Sequence, residues 1–251
     1  MLSMPERRIN WLPPPARLEV IGSEVHVWAV ALDPAPARLA SLAACLSLDE
    51  RDRAERFRFP GLRARFTAAR GHLRTVLGNY LHLDPARLEF AYHSRGKPSL
   101  TGQGEGQIHF NLAHSQDLAL IAVTRAGELG VDVERIRPMR DAEAIAQRFF
   151  SPREAEAFRR VPAEARDAAF FSLWTRKEAW LKATGDGIAE SLAKIEVAFL
   201  PEETPRVLAI AGDAVAGEAW SLCPLNPVDG FVGALAIRCR PVQLQCWCAE
   251  P

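Results

Sequence analysis

Hydrophobic residues along the chain follow two periods, one typical of strands and one typical of helices. Alternating or short continuous apolar runs predict strands at residues 25–30, 88–92, 108–112, 118–123, 129–134, 195–199, 207–210, 220–223 and 231–237. Helical spacing, with capping boxes at two starts, predicts helices at residues 38–46, from 48 onwards, 62–81, from 152 onwards and 166–183. Because strands and helices mix without strict alternation, we predict an α+β fold.

The order of these elements repeats roughly along the chain. A strand, several helices and further strands follow one another in residues 17–127, and a similar order returns in residues 128–248. No repeat is visible residue by residue, so only the order of elements suggests two similar halves. Residues 94–106 carry glycine, serine and proline, and we predict that they form a loop.

Composition narrows the class of protein. The 251 residues are 48% hydrophobic and 25% charged, and the formal net charge is zero, so neither nucleic acid nor a membrane is expected as a partner. The longest apolar run, residues 118–123, is far too short to cross a bilayer. The chain starts without the apolar core of a signal peptide, and its five cysteines lack metal-site spacing. We therefore expect a cytoplasmic protein with free thiols.

Two carboxylates lie on the strand predicted at residues 129–134. Side chains alternate between the faces of a strand, so Asp132 and Glu134 project together while Val131 and Val133 face the core. Carboxylates this close repel unless a cation lies between them, and hard oxygen ligands suit magnesium. The alternative is a solvated strand face, which is the commoner meaning of an isolated D-x-E motif.

A second candidate group lies on the helix predicted at residues 166–183. Trp174, Glu178 and Lys182 are spaced four apart and share one row of that helix. One interpretation is a surface pair of Glu178 and Lys182, worth only about 0.5 kcal/mol or less. An exposed row seldom begins with tryptophan, however, and a half-buried row would hold a carboxylate and an ammonium at the mouth of a cleft.

Two further features carry weaker signals. His114 and Ser115 end the segment F-N-L-A-H-S between two predicted strands; without a nucleophile elbow, a hydrolase serine is set aside. Arginines are frequent between residues 51 and 74, and Arg63, Arg70 and Arg74 share one helix face. That face is predicted to be solvated or, alternatively, to hold a polyanion. The sequence contains no glycine-rich phosphate loop.

Together and in this order, the motifs resemble the surfactin-type (Sfp-type) 4′-phosphopantetheinyl transferases. The resemblance rests on R-G-K-P at residues 95–98, F-N-L-A-H-S at 110–115, G-V-D-V-E at 130–134 and W-T-R-K-E-A-W-L-K at 174–182. The pairing of G-x-D-x-E with W-x-x-K-E-x-x-x-K is its most specific part. Ala113 stands where many relatives have serine, so a hydroxyl contact to a phosphate is missing.

The resemblance implies a fold and a set of site residues. The fold would be a pseudo-dimer of two similar α/β halves with the active site, and coenzyme A, in the cleft between them. Asp132, Glu134 and Glu178 would hold Mg²⁺ against the pyrophosphate of coenzyme A, and Lys182 would contact the same phosphates. The residues implied at the nucleotide end are Lys97, His114, Arg53, Arg65 and Arg70.

The implied reaction transfers the 4′-phosphopantetheine group of coenzyme A to a serine of an apo acyl or peptidyl carrier protein and releases adenosine 3′,5′-bisphosphate. Glu178 is the candidate base and Lys182 the second catalytic residue; a metal-bound water is the alternative base. The alternative functions are a metal-dependent phosphohydrolase and a non-enzymatic polyanion- or nucleic-acid-binding module. We expect a monomer, and the sequence does not specify its carrier protein.

Overall fold

The protein is described by a computed structural model that covers residues 9–94, 96–185 and 192–248. Within these residues the helices are α1 (Pro36–Ala44), α2 (Leu48–Glu55), α3 (Pro60–Leu81), α4 (Ala142–Phe149), α5 (Pro152–Arg159), α6 (Arg166–Thr184) and α7 (Ala214–Glu218). The strands are β1 (Trp11–Leu12), β2 (Glu24–Ala31), β3 (Glu89–Tyr92), β4 (Pro98–Thr101), β5 (His109–Ser115), β6 (Leu118–Thr124), β7 (Leu129–Arg135), β8 (Ile195–Val197), β9 (Val207–Ile210), β10 (Ser221–Leu225), β11 (Phe231–Ile237) and β12 (Gln243–Cys248). None of the helices in this part of the chain is long and apolar enough to cross a membrane.

The chain divides into two compact units. The first unit contains residues 11–126 together with β12, and the second unit contains residues 127–242. Each unit mixes helices and strands, which confirms the predicted α+β composition in two halves. The assignment of residues 243–248 differs from expectation: the sequence suggested that they belong to the second half, whereas β12 pairs with β2 in the first unit.

The first unit is built on a five-stranded sheet in the order β1-β12-β2-β6-β5. β2, β6 and β5 are antiparallel neighbours, whereas β12 runs parallel to β2 and places Trp247 opposite Trp28. β6 is buried along its whole length, which accounts for an apolar run without polar alternation. Leu73 and Leu77 of α3 are fully buried and belong to the same hydrophobic core as the two tryptophans.

The second unit is built on an antiparallel sheet in the order β10-β11-β7, against which α6 packs. The helix carries Phe170 and Phe171 into the core and ends at Gly185, whose φ of 76° is the left-handed conformation that favours glycine at a helix end. The register of β11 on β7 places Ala234 opposite Asp132. This sheet and helix therefore determine where the acidic motif of β7 lies.

Five of the described elements escaped prediction from the sequence: β1, β4, β12, α4 and α7. β4 lies inside the predicted loop 94–106 and pairs with β3, where Leu100 provides a buried anchor. α4 is a short amphipathic helix whose sequence has no capping box at its start. Asp141 precedes the helix, but its side chain forms no capping hydrogen bond. β12 was missed because it is short and because Trp247 interrupts the polar–apolar alternation of residues 243–246.

The arginine face of α3 differs from the predicted solvated face. Arg70 and Arg74 are buried and both bind the buried carboxylate of Glu50. Arg70 Nε donates to Oε1 at 2.6 Å, and Arg74 Nε donates to Oε2 at 2.5 Å. Helical spacing places the two arginines on one side, but it does not say whether a partner faces them there. A buried charge has to be paired, and Glu50 of α2 is the partner.

Candidate active site

The site in the second unit begins with a close contact between β7 and α6. A Cβ atom at Gly130 would lie 2.0 Å from the carbonyl oxygen of Ala179 and 2.4 Å from the amide nitrogen of Ala183. Real Cβ atoms do not approach backbone atoms so closely, so only glycine permits this packing. The contact brings Asp132, two residues further along the strand, beside Glu178 and Lys182 of the helix.

Asp132 and Lys182 form an ion pair across this contact. The Lys182 ammonium donates to Asp132 Oδ1 at 2.6 Å, and only 6% of Asp132 is exposed. Burial raises the pKa of Asp132, and the positive charge of Lys182 opposes that rise. A surface pair of Glu178 and Lys182 was the alternative interpretation of the sequence. Among the described residues, the ion pair of Lys182 is instead with the strand.

Glu178 is buried beside Asp132. Burial, and then the negative charge of Asp132, raise the pKa of Glu178 to about 7, while Lys182 acts in the opposite direction. Glu178 Oε1 and Asp132 Oδ2 are both buried without a hydrogen-bond partner among the described residues. Buried carboxylate oxygens are normally satisfied, so this pair is suited to a ligand that supplies positive charge or hydrogen-bond donors.

Glu134, the second carboxylate of the strand motif, lies at the end of β7 and is partly exposed. Arg137 Nη1 donates to Glu134 Oε2 at 3.1 Å. The guanidinium of Arg137 also lies over the ring of Phe171, 4.7 Å from its centroid. Sequence reasoning missed Arg137, because no periodicity points to a residue in the irregular segment after β7.

The donor set fits a hard divalent cation by its chemistry. Asp132, Glu134 and Glu178 offer only oxygen ligands, two of which are buried and unsatisfied. The arrangement is not preformed, however: within residues 9–94, 96–185 and 192–248, no three His, Cys, Asp or Glu side chains are grouped as a coordination shell. Lys182 already neutralises Asp132, so a cation entering here would compete with that ammonium.

Two other residues of the α6 motif have structural positions. Lys177 is completely buried; its ammonium binds the Glu154 carboxylate and the carbonyl oxygen of Ile195. Glu154 also accepts a hydrogen bond from the amide of Val197 at 2.9 Å. Trp174 stacks on Phe170 with a centroid distance of 6.0 Å and packs against the core. These contacts anchor α6, so the motif combines structural residues with the candidate site residues.

The first unit holds a separate small basic pocket. It has a volume of about 240 Å³ and brings together His114, Arg65, Phe57, Phe66 and Gln116, with two leucines. His114 reaches it from the end of the edge strand β5, next to a turn in which Gln116 has a φ of 54°. Arg65 reaches it from α3. The aromatic wall of this pocket, Phe57 and Phe66, was not predicted from the sequence as part of a site.

The other predicted nucleotide-binding residues lie in different surroundings. The guanidinium carbon of Arg53 lies 5.4 Å from the ring centroid of Phe66, beside the pocket. Lys97 is partly buried between β3 and β4 and is not among the described residues that line the pocket. Arg70 is 7% exposed and is held by Glu50 and by the hydroxyl of Tyr92 at 3.1 Å. Arg95, the first residue of the R-G-K-P motif, lies outside the described residues.

Comparisons with known proteins agree with the division into two units. Residues 30–126 match the family model for the N-terminal domain of 4′-phosphopantetheinyl transferase, and residues 128–236 match that of the 4′-phosphopantetheinyl transferase superfamily. The second match includes Asp132, Glu134, Glu178 and Lys182.

Curated relatives extend over most of the chain. The 4′-phosphopantetheinyl transferase HetI of Nostoc sp. is 49% identical over 229 residues, which are 91% of this chain and 93% of the relative. The 4′-phosphopantetheinyl transferase psf-1 of Bacillus pumilus is 35% identical over 174 residues, covering 67% of this chain and 72% of the relative. A 4′-phosphopantetheinyl transferase of Bacillus subtilis is 29% identical over 156 residues, covering 62% of this chain and 67% of the relative. With family models matching both units and a relative aligned over nearly the whole length, the chain belongs to the 4′-phosphopantetheinyl transferase superfamily.

Proposed function

We propose that this chain transfers the 4′-phosphopantetheine group of coenzyme A to a serine hydroxyl of an apo acyl or peptidyl carrier protein. The observation that carries the proposal is the group of Asp132, Glu178 and Lys182, which β7 and α6 bring together in a family that is named for this transfer. The serine oxygen forms a bond to the β-phosphorus of coenzyme A. The bond from that phosphorus to the leaving adenosine 3′,5′-bisphosphate breaks.

In this proposal Glu178 takes the proton from the attacking serine. Without bound metal, burial and the charge of Asp132 raise the pKa of Glu178 to about 7, so this carboxylate accepts a proton more readily than an ordinary one. Lys182 stabilises the charge that develops on the phosphates, because its ammonium is partly exposed and already directed toward the carboxylates. Members of this family generally depend on a divalent metal; Mg²⁺ held by Asp132, Glu134 and Glu178 would neutralise the pyrophosphate.

We further propose that the pocket in the first unit binds the nucleotide end of coenzyme A. His114 and Arg65 provide donors for a phosphate, and Phe57 and Phe66 provide apolar surface. Arg53 lies beside this aromatic wall. Lys97 is proposed to contact the 3′-phosphate of coenzyme A. Arg70 is fully occupied by Glu50 and Tyr92, so we now assign it the role of supporting α2 and α3 instead of binding phosphate.

The transfer is tested by incubating the protein with coenzyme A, Mg²⁺ and several apo carrier proteins, followed by intact-mass analysis. One added phosphopantetheine per carrier, with release of adenosine bisphosphate, is the expected result. Cleavage of coenzyme A without modification of any carrier would indicate the phosphohydrolase instead. The same assay identifies the preferred carrier, and omission of Mg²⁺, or its replacement by Ca²⁺, tests which metal is used.

The nucleotide-binding role is tested with His114→Ala. We expect the KM for coenzyme A to rise at least about tenfold, because a charge-assisted contact is lost, while the KM for the carrier changes little. The effect should shrink with dephospho-coenzyme A, which lacks the 3′-phosphate. An equal rise of both KM values would mean that His114 acts elsewhere.

A further inference from the structure

The first unit contains a second, larger pocket that the proposed transfer does not use. Its volume is about 640 Å³, within the usual range for pockets that bind small molecules. One wall is the segment of residues 14–18, which follows β1. Another wall is the C-terminal half of α3, and Arg38 of α1 contributes a third side. The α3 residues in the wall start at His72, whereas the pocket of His114 meets α3 near its beginning, at Leu62, Arg65 and Phe66.

Two polar side chains of this pocket, His72 and Arg38, form no hydrogen bond or ion pair with a described residue. His72 is only 4% exposed, yet its ring makes no hydrogen bond to any described residue. Within the same described residues, the guanidinium of Arg38 forms no ion pair. A buried polar side chain is usually satisfied, so a buried imidazole that lines a pocket without a partner indicates a position for a ligand.

The charge of the lining is one-sided. Arg17 and Arg38 are cationic, and none of the described residues that line the pocket is acidic. Arg17 has a weak and exposed partner in Glu19, 4.0 Å away. Burial, and then the positive charge of Arg38, lower the pKa of His72 to about 4, so its ring is neutral at pH 7 and offers one N–H donor. A neutral donor beside an unpaired guanidinium suits an anionic group.

The remaining surface is apolar and extends along the helix. Val76, Leu83 and Trp28 line it, and ten residues of α3, from His72 to Leu81, span about 15 Å. The partial negative charge at the C-terminal end of α3 disfavours an anion at that end. An anionic group is therefore best accommodated at the other end of the pocket, near Arg38 and His72.

We propose that this pocket binds a small organic anion, a carboxylate or a phosphate monoester, with its charged group at Arg38 and His72 and its apolar part along Val76 and Leu83. The inference is independent of the proposed transfer. The pocket carries its own unpaired donors and its own apolar wall, and it requires no residue assigned to the transfer.

The test uses hexyl phosphate and hexanoate as probes, with 1-hexanol as the neutral control. Ligand-observed NMR and thermal shift should detect at least one of the two anions with a Kd below about 1 mM, and 1-hexanol should bind much more weakly. Comparing the two anions distinguishes phosphate from carboxylate ligands. Arg38→Gln should weaken binding at least about tenfold, and His72→Gln should weaken it by a similar factor.

A matched control locates the binding site. Arg87→Gln, an exposed arginine of the same unit, should leave probe binding unchanged. Thermal melts establish that each variant is folded. Three results would overturn the proposal: no binding of either anion, equal binding of 1-hexanol, or binding that Arg38→Gln leaves intact.

Discussion

At the scale of single residues, α6 carries two lysines five positions apart with opposite environments. Lys177 is completely buried against Glu154, whereas the Lys182 side chain is 30% exposed and binds Asp132. Both stand in the same W-x-x-K-E-x-x-x-K motif, and the sequence alone gives them equal charge. Their burial separates them: the buried Lys177 holds the helix in place, whereas Lys182 is partly exposed beside unsatisfied carboxylates, as the proposed contact to phosphate requires.

This contrast predicts different results for Lys177→Met and Lys182→Met. The first leaves the Glu154 carboxylate buried without its cation, a loss of about 3–5 kcal/mol, so Tm should fall by about 10 °C. The second also removes the cation of a buried carboxylate, Asp132, but Lys182 is itself partly exposed, so Tm should fall less than in Lys177→Met. Turnover should fall about 100-fold, because phosphate charge is no longer stabilised. Thermal melts and steady-state assays decide; a large drop in Tm for Lys182→Met with normal turnover would reverse the assignment.

Glu178→Gln keeps the size of the side chain and removes the carboxylate. We expect turnover to fall at least about 100-fold even with saturating coenzyme A and raised Mg²⁺, because both the proposed base and a proposed metal ligand are lost. The matched control is Glu164→Gln, an exposed glutamate of the same unit, which should keep normal turnover. Turnover of Glu178→Gln near that of the control would exclude Glu178 from the chemistry.

His72 gives a prediction about stability and pH. The pKa of its ring is about 4 in the folded protein, below the ordinary value of 6.5, so the unfolded chain binds the proton more tightly. The contribution of the neutral His72 ring to the free energy of unfolding is complete above pH 6.5 and is lost as pH falls toward 4. The Tm of the native protein should therefore decrease by about 5 °C more than that of His72→Gln over this range. His93→Gln, at an exposed histidine, should follow the native protein; identical curves for all three would contradict the buried position of His72.

At the scale of elements, the site depends on how closely β7 approaches α6. Alternation on the strand and the helical row of the motif predicted the right elements and placed Asp132, Glu178 and Lys182 on them. The pattern did not predict which partners would meet, since Lys182 binds the strand and not Glu178. Periodicity reports the direction of a side chain relative to its own element, whereas pairing depends on the distance between elements, which Gly130 sets.

Gly130→Ala tests that distance. The added Cβ would lie 2.0 and 2.4 Å from backbone atoms of α6. A flexible side chain could change its rotamer to relieve such a clash, but a helix backbone cannot. The strand and helix must separate, so Tm should fall by several degrees and the folded variant should lose at least about tenfold in turnover. Gly61→Ala is the control, because a Cβ there meets nothing within 4 Å. Unchanged turnover in a folded Gly130→Ala variant would show that catalysis does not require the close packing of β7 against α6.

At the scale of the whole molecule, the first unit is discontinuous in sequence. The sequence predicted two mixed halves and their approximate boundary, because the order of elements is visible along the chain. It did not predict that β12 inserts between β1 and β2, since parallel pairing between residues 24–29 and 243–248 leaves no local signal. The polar–apolar alternation of β12 covers only residues 243–246, and its buried residues, Cys246 and Trp247, occur outside any predicted strand.

Trp247→Ala measures how much the inserted strand contributes. Trp247 is 8% exposed and belongs to the core of the first unit, so its truncation should cost about 3–5 kcal/mol and lower Tm by about 10 °C. Leu12→Ala, at a side chain that is 52% exposed on β1, should change Tm by only a few degrees. A small effect of Trp247→Ala would mean that β12 adds little to the stability of the unit.

The insertion of β12 also has a consequence for biosynthesis. During translation, residues 11–126 leave the ribosome long before residues 243–248. Until then the sheet of the first unit lacks β12, the strand that lies between β1 and β2. The sheet of the second unit, β10-β11-β7, lies entirely within residues 127–242. The second unit therefore needs no later segment and is able to fold before the first unit is complete. During that interval β2 exposes an unpaired edge, which is a position where chaperones or neighbouring nascent chains bind. Translation speed between residues 127 and 248 should therefore affect the yield of native protein more than speed before residue 126.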